Sequence, residues 1–299
     1  MERGESWRDV EAAIERISGK TILFVTGAVK SGTTWTQLWL DSHPEIACRG
    51  EGYFFDKFAG SLQTLCTQAS QYIEGQNSLK NIGHAPFPPI GLPQVQHLLR
   101  QTVLGCLAVY GGDDETKVVA EKTPSYVLTL DVVKMIFPEA KVLHLVRDGR
   151  DVVISTWHHN NRTAGQAFQQ LYPTFGTFVP EMADIWTKHQ QPALDAQEAH
   201  PGDVMLIRYE DLLDRPETVM GDVFRWLGVR DDDDTVRGCI DATDFQTLSG
   251  GRKPGQEDRS SFFRTGTAEQ WRDVLTDEQR DQFWTIAGDM MTRLGYARD

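Results

Sequence analysis

Lys30 is the first residue whose placement suggests chemistry. It lies in the stretch Gly27–Trp35, GAVKSGTTW, directly after the apolar run TILFV. Glycines after a strand let backbone N–H groups turn toward an anion, and the helix that follows adds its positive end. A phosphate-binding loop of this kind reads G-x-x-x-x-G-K-[ST]. Gly27, Gly32 and Thr34 keep that spacing, but Thr33 fills the lysine slot and the lysine has moved back into the loop. A cation placed there projects past the first phosphate toward the group beyond it. Two further stretches repeat the theme. RDGRDVVIS sets Ser155 eight residues after Arg147, about two turns into a helix. SFFRTGTAEQW carries Arg264 and Gly266 beside paired aromatics, the makings of a basic, glycine-hinged flap. Taken singly, the second stretch also fits a helix cap with an Arg–Asp pair, and the third a surface loop.

These residues need elements to hold them. TILFVT (21–26), KVVA (117–120), KVLHLV (141–146) and DVMLIR (203–208) are apolar, β-branched runs, each followed by a polar or glycine-bearing turn and helix-like sequence. Continuous apolar strands alternating with helices indicate an α/β fold with a central parallel sheet flanked by helices. Ligands of such sheets bind beyond the carboxyl ends of the strands, where all three stretches fall. Residues 52–115 break the pattern and read as a substrate-side insertion, while 249–268 is a long glycine-rich loop of the kind that is usually functional. The whole chain, 1–299, reads as a single domain.

Composition narrows the class. Thirty basic residues against 43 acidic ones give a formal charge of −13, without the basic footprint of a nucleic-acid binder. Such a chain is repelled by anionic membranes, so any anion it binds needs a local, concave positive site. No apolar run approaches the roughly 18 residues of a membrane span, and the first twenty residues carry no signal-peptide core. Cys48, Cys66, Cys106 and Cys239 lie far apart, which fits buried, reduced thiols and a cytoplasmic protein. The acidic run Asp231–Asp234 reads as a solvated helix start, and no metal site is expected.

Together the three stretches resemble the PAPS-dependent sulfotransferase family, whose donor is 3′-phosphoadenosine 5′-phosphosulfate. VKSGTTW is similar to its 5′-phosphosulfate loop, Arg147 and Ser155 to its 3′-phosphate motif, and FFRTG with the downstream Trp271 to its late loop. The segments IRYEDLLDRPETVMGDVFRWLG and TDF (243–245) match further family segments, so the resemblance runs from about residue 21 to 285. It implies a P-loop NTPase-like three-layer sandwich and sulfuryl transfer to an acceptor hydroxyl. It also implies roles: Lys30 at the bridging oxygen and sulfonate, and Ser31, Gly32, Thr33 and Thr34 around the 5′-phosphate. Arg147, Ser155 and Arg264 would hold the 3′-phosphate, helped at Gly266, with the 249–268 loop closing over it. Trp35 and Phe245 would sandwich the adenine, with Tyr209 and Thr243 near it. Val29 and Thr265 stand where the family usually has proline and lysine; the first alters loop rigidity, the second puts one phosphate contact in doubt.

Many cytosolic members take the acceptor proton with a histidine in K-T-H-x-P. Here Lys122 and Thr123 match, but Pro124 stands at the histidine position and cannot act as a base. The glycosaminoglycan-type branch uses a glutamate before aromatics, and RGEGYFFD places Glu51 so. Glu51 is the expected base. Lys122 is expected as a second sulfonate or acceptor contact, with an ion pair to Glu121 as the alternative. Tyr53, Phe54, Phe55 and His158 are the expected acceptor contacts, although a helix-end cation explains His158 and His159 equally well. YFFDKF, HAPFPPIGL and QLYPTFGTF are aromatic and poor in cations, so the expected acceptor is a neutral small molecule or natural product. The scheme needs no magnesium, and adenosine 3′,5′-bisphosphate (PAP) is the second product. Two alternatives stay open: a phosphotransferase using ATP and magnesium, and a nucleotide-binding module without turnover. Oligomeric state is not set by any motif.

Overall fold

A computed structural model describes residues 6–79 and 87–299. In chain order, α1 (Trp7–Ile17) leads into β1 (Thr21–Gly27), α2 (Thr33–Asp41) and the short β2 (Ile46–Arg49). A wide turn at Phe54–Phe58 enters α3 (Ala59–Leu79), and α4 (Leu92–Gly111) precedes β3 (Val118–Lys122). Then come α5 (Leu130–Ile136), β4 (Lys141–Val146), α6 (Gly149–Thr163), α7 (Gly165–Leu171) and α8 (Phe175–Ala199). After β5 (Val204–Arg208) follow α9 (Tyr209–Asp214), α10 (Pro216–Leu227), α11 (Asp233–Ala242), α12 (Phe245–Leu248), α13 (Trp271–Val274) and α14 (Asp277–Arg293).

The strands form one parallel sheet in the order β2-β3-β1-β4-β5. Alternate strand residues serve opposite faces, as a period of two requires. Leu23, Val25, Val118, Ala120, Leu143 and Leu145 pack under Trp39 of α2 and Phe224 of α10. Phe24 and Val119 meet α4, and Val142 meets Ala193 of α8. The result is a helix–sheet–helix sandwich with helices on both faces. β2 is the strand the apolar pattern does not reveal, because IACR is only four residues long and ends in arginine. His144, in the core run of β4, is fully buried between Thr26 and Gln190, and burial pushes it down to about 4. It is a neutral packing residue.

The 52–115 segment does not sit as expected. α4 packs Leu99, Val103 and Leu107 into a core with Ile17 of α1 and Phe24 of β1. The first part of the stretch 84–92 lies outside the described residues. Among the described residues, no helix is long and apolar enough to cross a membrane.

Candidate active site

The loop after β1 is shaped by left-handed backbone at Lys30 (φ 65°) and Gly32 (φ 98°), the latter starting α2. A Cβ on Gly32 would lie 2.6 Å from the Tyr209 ring, so steric crowding and positive φ both demand glycine. Gly32→Ala is therefore expected to cost about 3 kcal/mol of stability, lowering the melting temperature in a thermal scan by several degrees. An unchanged midpoint would mean that Tyr209 moves freely. Ser31 is fully buried and its hydroxyl has no partner, a donor waiting at the centre of the loop. The Lys30 ammonium sits 4.4 Å from the Phe262 ring centroid. Burial, then the charges of Arg162, Arg147, Arg264 and Lys122, push it down to about 8.

Arg147 leaves β4 and is 7% exposed. Its Nη1 donates to the Lys30 carbonyl at 3.1 Å and its Nη2 to the Thr267 carbonyl at 3.3 Å, so one guanidinium ties the first loop to the late loop. It lies over the Tyr209 ring, 4.4 Å from the centroid, and its Nε is buried without a partner. The helix-cap reading of this motif is realised by the neighbours instead. Asp148 caps α6 by accepting from the Arg150 N–H and pairs with the Arg150 guanidinium at 2.7 Å. Asp151 lies 3.6 Å from Arg147 and accepts from the Trp271 N–H; burial pushes its carboxyl up to about 6 against the pull of Arg147.

The late loop is held by Arg252, which donates to the carbonyls of Gln256, Phe263 and Arg264 and to the Ser261 hydroxyl. Arg264 pairs with Glu257 at 2.6 Å and donates to Gln270 at 2.5 Å. The Thr265 hydroxyl accepts from Gln270, so threonine pins that glutamine in place of supplying a cation. Gly266 (φ 63°) lies against Phe245: a Cβ there would be 2.3 Å from the ring. Trp35 donates its ring N–H to the Thr243 carbonyl at 2.8 Å and meets Tyr209 edge-on. The Thr243 hydroxyl is spent on the Cys239 carbonyl.

At the other end, Lys122 is buried and its ammonium is 2.5 Å from Glu51 Oε1, while the Tyr53 hydroxyl donates to Glu51 Oε2. The alternative pair with Glu121 is not formed, because adjacent strand residues face opposite ways. Phe55 is 4% exposed and packs edge-on against Phe24 and Tyr126; Phe54 packs on the same core. Neither lines the cavity, which corrects their assignment as acceptor contacts; the wide turn at 54–58 directs them inward. His158 faces a second cavity of about 440 Å³ with Glu257 and Arg264, whereas His159 lines the main one. The helical period explains the swap: Ser155, Thr156, His159 and Asn160 share the cavity face of α6, and His158 is turned off it. Cys106 is exposed, unlike the other three cysteines.

A single cavity of about 830 Å³ joins these parts. Lys30, Gly32, Thr33, Thr34, Trp35, Arg147, Ser155, Tyr209, Thr243, Phe245, Arg264, Thr265 and Gly266 line it, with Glu51 and Tyr53 at one side. Ser31 and Lys122 stand behind this lining. Of the 52–115 segment only Tyr53 reaches the cavity among the described residues; the apolar wall is built by Phe168, Tyr172, Phe178, Met182 and Ile185 instead. Sequence reasoning named QLYPTFGTF but missed Phe262 under Lys30, Arg162 beside it and the Arg252 clamp. Arg162 shares the spacing Ser155, His159, Arg162 along α6, a signal that was available. Arg252 had none, because its partners are backbone carbonyls.

The Sulfotransferase family model matches residues 23–233, most of the chain. Nodulation protein NoeE of Sinorhizobium fredii is 25% identical over 297 residues, covering 92% of this chain and 66% of the relative. Sulfotransferase 1A1 of Rattus norvegicus is 23% identical over 163 residues, 48% of this chain and 53% of the relative. The chain thus spans about half the length, or less, of the first curated relatives it matches. Sulfotransferase STF9 from Mycobacterium avium superposes with a TM-score of 0.55 at 12% identity, covering 97% of this chain and 81% of that one. Mouse sulfotransferase SULT7A1, solved in complex with PAP, gives a TM-score of 0.54 at 15% identity, covering 91% and 84%. These structural likenesses show the shared fold. With the family model running from β1 past Lys30, Lys122, Arg147 and Ser155, the chain belongs to the Sulfotransferase family.

Proposed function

We propose that the chain transfers a sulfuryl group from 3′-phosphoadenosine 5′-phosphosulfate to a hydroxyl of an uncharged, largely apolar small molecule. One observation carries the reading: cations converge on a cavity, and two buried donors among its loops are unspent. Lys30, Arg147 and Arg264 line it, Arg162 and Lys122 stand close by, and the Ser31 hydroxyl and Arg147 Nε are buried without partners. Such a set suits a ligand with several negative charges. Mouse SULT7A1, which shares the fold, was solved with PAP bound.

Each residue then has work to do. Ser31, Thr33, Thr34 and the start of α2 hold the 5′-phosphate. Arg147 and Ser155 hold the 3′-phosphate, and the 249–268 loop closes over it with Arg264 once Glu257 releases that guanidinium. The adenine lies between Trp35 and Phe245. In the transfer, the acceptor oxygen forms a bond to sulfur while the bond from sulfur to the bridging oxygen breaks. Lys30 stabilises the charge left on the departing oxygen, and Glu51 takes the hydroxyl proton. Lys122, 2.5 Å from its carboxylate, keeps Glu51 aimed. The departing charge is met by lysine and arginines, so the scheme includes no metal ion. The wall of Phe168, Phe178, Met182 and Ile185 suits an apolar acceptor, because a charged group buried there would lose its water without gaining a partner. Three buried free thiols suit work in a reducing cytoplasm.

Calorimetric titration with PAP, and in parallel with ATP plus magnesium, tests the donor site. Tight, metal-independent binding of the bisphosphate, followed by sulfation of a phenol or alcohol from a small panel, is the expected result. Preference for ATP and magnesium would replace this reading with phosphoryl transfer. The same titration has a pH dependence. Free Lys30 loses its proton near pH 8, and an anion beside it raises that value, so binding takes up a proton above pH 8. PAP affinity should therefore fall on the order of tenfold from pH 7 to 9. A flat profile would mean that Lys30 does not face the ligand.

A further inference from the structure

We propose that Glu121 is a positioning residue that holds the Glu51 segment in register for proton transfer; this rests on the sulfuryl-transfer reading above. The β2–β3 ladder ends at the pair Arg49 and Glu121. Beyond it the chain leaves the ladder, a gap in strand pairing through residues 50–53. Glu121 fills that gap: its Oε1 accepts from the Gly52 N–H at 2.6 Å and from the Thr123 hydroxyl at 2.5 Å. Tyr126 supplies the second tie, its hydroxyl oxygen accepting from the Phe54 N–H at 2.7 Å. The two ties bracket Tyr53, which donates to Glu51. Gly50 is pinned from the same strand end, since a Cβ there would lie 2.6 Å from the Lys122 carbonyl oxygen. The carboxylate of Glu51 is thus held by Lys122 and Tyr53, and the backbone that follows it by Glu121 at Gly52 and Tyr126 at Phe54.

The cost of this arrangement argues that it serves the site. Glu121 is 3% exposed, and its Oε2 is buried with no partner. The neighbouring Lys122 ammonium lies across the strand, on Glu51. A buried carboxyl without a paired cation is expensive, and an apolar side chain of similar size would be cheaper for the fold. Burial accordingly pushes the group up to about 7. What an apolar side chain could not do is accept from Gly52.

The test compares the full-length chain with Glu121→Leu and Glu121→Gln, each alone and combined with Glu51→Gln. Turnover is measured with whichever phenol or alcohol the wild type sulfates fastest, and PAP affinity by calorimetry. Glu121→Leu is expected to lower kcat by about 10- to 100-fold, with the PAP Kd unchanged within about twofold because the donor site is elsewhere. Glu121→Gln keeps an acceptor for Gly52 and should stay within about threefold of wild type. In the Glu51→Gln background, Glu121→Leu should have no further effect, since the group it positions is gone. A leucine variant with wild-type kcat, an equal drop in both backgrounds, or a loss of PAP binding would each overturn the proposal. Should the leucine variant not fold, hydrogen exchange at Gly52 in Glu121→Gln decides. Protection retained together with kcat supports the proposal, and protection lost with kcat retained overturns it. A wild type that binds PAP but sulfates nothing sinks the transfer reading itself.

Discussion

Arg147→Ala is expected to weaken PAP binding by about a hundredfold, the loss of roughly 3 kcal/mol that follows when a buried charged contact is truncated. The size of the effect comes from how much this guanidinium joins. It donates to the Lys30 carbonyl in the first loop and to the Thr267 carbonyl in the late loop, and it stacks on Tyr209. Alanine removes the phosphate contact and also unties the two loops that must converge on the nucleotide. Asp151 then loses the cation that opposes its desolvation, so thermal stability falls as well. Arg147→Lys should recover only part of the affinity. One ammonium lacks the planar fork that reaches two carbonyls and a phosphate together. Calorimetry well below the melting temperature checks this; an alanine variant within threefold of wild type would remove Arg147 from the donor site.

Lys30→Met should lower kcat by about 10²- to 10³-fold while weakening PAP binding by only about tenfold. An electrostatic contact made to charge that develops on the leaving oxygen is worth about 3 kcal/mol of barrier. PAP already carries its phosphates and lacks the sulfonate, so it uses less of what Lys30 offers. Methionine is the informative replacement. It keeps an unbranched stem against Phe262 and meets the same left-handed backbone requirement as lysine at φ 65°, so the loop is not strained further. The pH dependence of binding above pH 8 should vanish in the same variant. Parallel losses in kcat and in PAP affinity would instead make Lys30 an ordinary binding cation.

Much of the cavity end around the first loop was legible in the residues because it is built from short, local pieces. A glycine-bearing turn between an apolar strand and a helix has few conformations, and GAVKSGTTW states the turn. The central strands β1, β3 and β4 were equally plain, each carrying an apolar run buried on both faces, while β2 escaped because four residues cannot show a period. Phe54 and Phe55 show where such reading stops. Their composition says only that they are buried somewhere; the wide turn that sends them into the core with Tyr126 is a property of packing. His158 and His159 differ by one residue and face different cavities, a distinction set by the rotation of α6 against α8.

The sequence by itself determined the α/β class and the glycine-bearing turns after the strands, because those depend on residue types and local spacing. Only the tertiary structure decided which walls enclose the cavity and which groups hold its loops. α7 and α8 supply the apolar wall, Arg252 clamps the late loop through backbone carbonyls, and Glu121 reaches Gly52 across 69 positions of sequence. Contacts of that range are made by side chains whose partners are backbone atoms, and a backbone atom leaves no mark in the residue that bears it.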